Sequence, residues 1–268
     1  MRASAFAALA LAFTLPTAAC DRDRSARVDA RAGDTITGTW IADPSSAQAK
    51  NNDASFLLAD GVFACNSCIP PYSYIANGEW QKVDRPGIDA VRLEVVDAST
   101  VRSAARFKGR DMGRATWIVS EDGQSLTQVF VNLDADEPTE GTVKLTRKSD
   151  APAGAHALSG TWSLAGYGKI SAAALRTTYS LTGDTLTVTY NGGSWSAVLG
   201  GQPARIEGSE SGTLVTAERI GDNRYRETYF RKEKIVGLTE ITVKGDNMTV
   251  VATDPRDDSL LRYEAWRE

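Results

Sequence analysis

The tripeptide Gly-Thr-Trp occurs twice, closing "ITGTW" at Trp40 and "LSGTW" at Trp162, an offset of 122 residues. The same offset lays "SLTQVFV", with Leu126 and Thr127, onto "NMTVVAT", with Met248 and Thr249. Between these anchors "YIANGEW", ending at Trp80, echoes "YNGGSW", ending at Trp195, and each half closes on a short run with an arginine, Arg147 in "VKLTRK" and Arg267 in "YEAWRE". Four echoes in the same order, two of them at one spacing, mean one unit written twice. The boundaries follow: copy one over 35–148, a linker over 149–156 in "SDAPAGAHA", and copy two over 157–268.

Each copy reads as strand almost throughout. "DTLTVTYN", "GTLVTAERIG", "NRYRETYFRK" and "IVGLTEITVKG" are short runs rich in Thr, Val, Tyr and Ile, punctuated by Gly, Asp and Asn about every ten residues. An open meander of that length would leave unpaired edges, which closure removes. The expected fold is therefore all-β, with two tandem antiparallel up-and-down β-barrels, and "KISAAALR" is the one helical candidate.

An opening G-x-W, a meander and a closing arginine resemble the lipocalin and fatty-acid-binding-protein superfamily. That resemblance implies that a tryptophan seals the barrel base while the arginine packs across it, and it pairs Trp40 with Arg147 and Trp162 with Arg267. The chain also resembles exported bacterial proteins with two lipocalin-like halves, a joining segment like "AGAHALSGTW" and a C-x-x-C in the first half. Both likenesses imply a fold and assign no activity.

The first nineteen residues combine Arg2, an apolar stretch over Ala5–Leu15 and small residues before Cys20. They read as an export signal, too short to span a bilayer as a mature helix. With cysteine at the cleavage point the segment resembles a bacterial lipoprotein signal, which implies lipidation of Cys20 and anchorage at the periplasmic face of the envelope. Thr17 departs from the usual leucine and keeps plain secretory cleavage as the alternative. Residues 20–34 are charged and small and read as a tether. A net charge of −4 without clustered Lys and Arg argues against nucleic acid as a partner.

Candidate chemistry is sparse. In "FACNSCIPPY", Cys65 and Cys68 admit several readings. Haem attachment needs a histidine where Ile69 stands, zinc lacks two further ligands, and a thioredoxin-like centre needs a helix that Pro70 and Pro71 oppose. A local disulfide is the expectation, with a labile redox pair as the alternative. It would fix an irregular loop at the mouth of the first barrel. The only histidine, His156, falls in the linker, so a histidine-based triad is not expected. Asp134, Asp136 and Glu137 cluster in an acidic turn that lacks the spacing of a calcium loop and reads as a solvated hairpin. No metal and no cofactor are expected.

Aligning the copies sets Tyr225, Glu227 and Tyr229 against Val101, Ser103 and Ala105, and Thr239 and Ile241 against Ala115 and Trp117. If these faces line the lumens, Trp117, Tyr225, Glu227, Tyr229 and Ile241 are the candidate ligand residues, and the second lumen is the more polar. The other strand phase would put Glu227 in solvent, paired with arginines such as Arg226. The functional expectation is a lipid-anchored envelope protein, not an enzyme, that binds a small, mostly apolar ligand in a barrel lumen. Its alternative is a structural or interaction module with filled barrels. An enzyme using Glu227 or Tyr229 is a third class.

Overall fold

A computed structural model describes residues 35–268 except Asp136. Residues 1–34, on which the expected export signal, the lipidation of Cys20 and the expected tether fall, lie outside the described residues. Strands run in order as β1 (Gly38–Lys50), β2 (Ala54–Ala59), β3 (Val62–Cys65), β4 (Tyr72–Ile75), β5 (Asn77–Arg85), β6 (Ile88–Val95), β7 (Thr100–Phe107), β8 (Arg110–Val119), β9 (Ser125–Asn132) and β10 (Thr139–Ser149). The second run is β11 (Gly160–Ile170), the one-turn helix α1 (Ala172–Leu175), β12 (Arg176–Thr182), β13 (Thr185–Tyr190), β14 (Gly193–Val198), β15 (Ala204–Arg205), β16 (Leu214–Gly221), β17 (Arg224–Arg231), β18 (Lys234–Lys244), β19 (Asn247–Asp254) and β20 (Ser259–Arg267). They form two nearly closed, all-antiparallel barrels from two 10-stranded sheets, as the turn spacing and strand composition lead one to expect. The helical candidate is realised as α1.

The two halves do not each make their own barrel. The first barrel takes β2 to β10 and is completed by β11, inserted between β2 and β10. The second takes β12 to β20 and is completed by β1, inserted between β12 and β20. The opening strands of the copies are thus exchanged, and the division into contiguous barrels over 35–148 and 157–268 is corrected accordingly. The chain crosses between barrels at residues 51–53 and again through α1.

The exchange carries the closing pairs with it. Arg267 lies over the Trp40 ring, its Cζ 4.3 Å from the centroid, and Arg147 over Trp162 at 4.0 Å. The pairing of Trp40 with Arg147 and of Trp162 with Arg267 is therefore reversed. The motif alone does not tell them apart, because each seal sets a tryptophan beneath an arginine that donates to nearby carbonyls. Trp40 Nε1 donates to Ile36 O and Trp162 Nε1 to Leu158 O, each at 2.9 Å. Arg147 donates to the carbonyls of Ala157, Ser159 and Gly123, and Arg267 to those of Thr35, Thr37 and Gly245. The glycine of G-x-W has a steric reason. Gly160 sits at φ +114°, and a Cβ there would lie 2.8 Å from Arg147 Nη1; at Gly38 it would strike Arg267 Nη1.

Matching registers fix which residues correspond. Gly160 faces Phe56 as Gly38 faces Tyr179, Phe56 faces Cys65 as Tyr179 faces Val188, and Cys65 faces Tyr72 as Val188 faces Trp195. The equivalent of Trp195 is therefore Tyr72. Trp80, the expected echo, lies on β5 with Arg106 stacked over it at 3.9 Å. The mismatch arises at the β3–β4 connection, where residues 66–71 replace the tight Asn191–Gly192 turn between β13 and β14.

The linker is also better held than its Pro, Gly and Ala content suggests. His156 N donates to Leu58 O at 2.8 Å, His156 Nδ1 accepts from Leu158 N, and Nε2 lies 2.7 Å from Asp97 O. Contrary to expectation His156 is positioned, as a clip fastening the linker to the first barrel. In the acidic turn Asp134 is paired with Arg110 at 2.7 Å, and Asp136 lies outside the described residues.

Candidate functional sites in the two barrel interiors

The residues proposed to face inward are buried. Trp117 belongs to the core of the first barrel, and Tyr225, Tyr229 and Ile241 to that of the second, beside the buried Glu227. The sheet phase is set by pairing. Tyr225 faces Ile241 and Glu227 faces Thr239, as Val101 faces Trp117 and Ser103 faces Ala115. On the opposite face of β17, Arg226 pairs with Glu218 at 3.0 Å and with Glu240 at 2.8 Å. A one-residue slip would bury that arginine instead, so the ion-paired outer face and the aromatic inner face fix one phase together.

Inside the second barrel, Glu227 is 2% exposed and accepts a 2.6 Å hydrogen bond from Tyr229 Oη. Its other oxygen, Oε1, has no hydrogen-bond partner among the described residues, and neither does the buried Trp195 Nε1. Burial pushes the Glu227 carboxyl up to about 7, with the Tyr229 hydrogen bond opposing. Removal from water disfavours the charged form, and no cation stands near enough to offset it. The hydroxyls of Tyr179, Tyr229 and Tyr263 are raised by burial first and then by the nearby Glu227 charge.

The first barrel is filled differently. A cavity of about 50 Å³ opens among Phe56, Trp117, Gln128, Val143, Leu164 and Tyr167, with Asn52, Ser67 and Cys65 also on its wall. Register explains the space. Val143 occupies the position that Tyr263 fills in the second barrel, because each faces the equivalent β9 or β19 residue, Gln128 or Val250. Leu164 and Tyr167 come from the exchanged strand β11, so the copies share this wall. No charged side chain lines the cavity. The amides of Asn52 and Gln128, absent from the sequence-derived candidates, join the side chains of Ser67 and Tyr167 as its polar features. An alignment of β9 with β19 carried one residue further along would have marked Gln128 as a polar insertion at an inward position.

Cys65 and Cys68 form a disulfide, both buried. It bridges the start of the irregular 66–71 connection, and Cys65 reaches the cavity wall. No family model matches the chain, and neither any curated protein nor any solved structure compared with it is similar.

Proposed function

We propose that this chain is an exported binding protein of lipocalin-like type that admits a small, mostly apolar molecule carrying an uncharged polar head into the first barrel. The carrying observation is the cavity walled by Phe56, Trp117 and Val143 with the Asn52 and Gln128 amides and without a charged side chain. Neutral amides both donate and accept hydrogen bonds, so they suit an amide or hydroxyl head and give a carboxylate no counter-charge. At about 50 Å³ the space is well below the several hundred cubic ångströms that enclose a whole drug-sized ligand. Only a head group enters, and any tail rests at the mouth. The leader-like segment and Cys20 support an envelope location with a lipid anchor.

The test is a matched series of octanamide, octanol and octanoate titrated against tryptophan emission and melting temperature. Quenching by the neutral pair, stabilisation in proportion to occupancy, and loss of both in Val143→Tyr support the reading. Silence from all three moves the assignment to an interaction module with side-chain-filled barrels. That second reading predicts a protein partner retained through purification.

A further inference from the structure

Among the described residues, Glu227 is the one carboxylate buried in either core, and its surroundings are specific. On its own strand Tyr229 donates to it. Its cross-strand neighbours are Ala217 on β16 and Thr239 on β18, neither titratable. Tyr179 on β12 and Tyr263 on β20 stand close enough to feel its charge, and Tyr190 on β13 couples to Tyr229. The arginines of β16 and β17 are engaged elsewhere, Arg219 with Tyr225 Oη, Arg226 with Glu218 and Glu240, and Arg231 with Thr213 Oγ1. The two strands that carry Tyr179 and Tyr263 are those that grip the exchanged strand β1 from either side.

We propose that Glu227 is a proton-binding site that latches the exchanged strand: protonated, it keeps β1 clamped between β12 and β20, and ionised, it loosens that clamp. The carboxyl gains a proton from solvent on acidification and returns it on neutralisation, with no other reactant. Protonated, it can donate as well as accept within the tyrosine cluster. Ionised, it places an uncompensated charge beside the tyrosines of β12 and β20, and the strand that those two grip is the one to give way. The first barrel has Ser103 at the equivalent position and so lacks the latch.

Hydrogen exchange of the amides over 38–42, corrected for intrinsic rates, tests this directly at about pH 5.5 and about pH 8.5. The expected result is a fall in β1 protection of up to about two orders of magnitude at the higher pH, as the shift of the buried carboxyl implies. The amides over 160–164 in β11 should show no such fall, and Glu227→Gln should remove the response in β1. A flat wild-type profile, an equal response in Glu227→Gln, or an equal fall in β11 would overturn the proposal. Should Glu227→Gln not fold, Tyr229→Phe removes the only bond to the carboxylate and must move the midpoint of the β1 response to higher pH. An unmoved midpoint would equally overturn it.

Discussion

Phe56, Cys65, Trp117, Gln128 and Val143 in the first barrel take the places of Tyr179, Val188, Ile241, Val250 and Tyr263 in the second. Around these interiors the closing apparatus is closely matched, with a tryptophan under an arginine and that arginine fanned onto neighbouring carbonyls, Arg267 adding a 3.0 Å ion pair with Asp246. The comparison separates two demands on a barrel. Closure requires a fixed set of groups at the base, and the copies keep them. The interior only has to be filled or usefully left unfilled, and there the copies part. One has a small neutral cavity, the other a tyrosine cluster around a single acid.

The largest perturbation should come from breaking each seal in turn. Trp40→Ala and Trp162→Ala should each cost about 3–5 kcal/mol. The crossed pairing requires that Trp40→Ala loosen the second barrel and Trp162→Ala the first, read by hydrogen exchange of β17 against β7. The reverse pattern would restore two self-contained halves. Next comes pH. Because burial pushes the folded carboxyl of Glu227 up to about 7, above the ordinary glutamate value of about 4.5, the folded state binds more protons than the unfolded between those limits. Stability from this group is therefore complete below about pH 4.5 and lost as pH rises through 7, on the order of 3 kcal/mol in total. Chemical denaturation of wild type and Glu227→Gln across that window isolates it, and the first barrel should contribute nothing comparable.

Smaller effects sharpen the contrast further. Replacing Cys65 and Cys68 by serine should cost about 2 kcal/mol, since the closed loop is short. The loss should fall on the first barrel and on probe binding, as seen by melting and by quenching. Least of all, Lys108→Ala removes a 3.3 Å ion pair with Glu210 that links the β7–β8 turn to the second barrel. It should change stability by under about 1 kcal/mol and vanish in high salt.

How far residues alone reach is visible at three places. Strand composition and turn spacing made the barrels legible, and aligning the copies, at an offset of 124 residues here rather than 122, set β17 against β7 well enough to bring out Glu227 against Ser103. The exchange of β1 and β11 was not legible, because Trp40 and Trp162 present identical local chemistry and each arginine would serve either. What distinguishes them is the path of residues 51–53, a long-range choice with no local signature. The cavity was half legible. Trp117 was found through its strand, whereas Val143 matters only because Tyr263 is large at the same place, a relation that exists once registers are known.

The crossing of the strands also orders events in time. Arg267 reaches the carbonyl of Thr37 across 230 residues of chain, so the strand synthesised first finds its partners last. Until the second copy appears, β1 has only the strands of its own copy to pair with, among them β2 and β10, the latter carrying the sealing Arg147. Such non-local closure is slow and leaves an edge open meanwhile. Refolding should therefore branch between an exchanged form and one in which each copy has closed on its own first strand. Moving from the second to the first requires both barrels to open together, so the partition is set during chain emergence rather than after it.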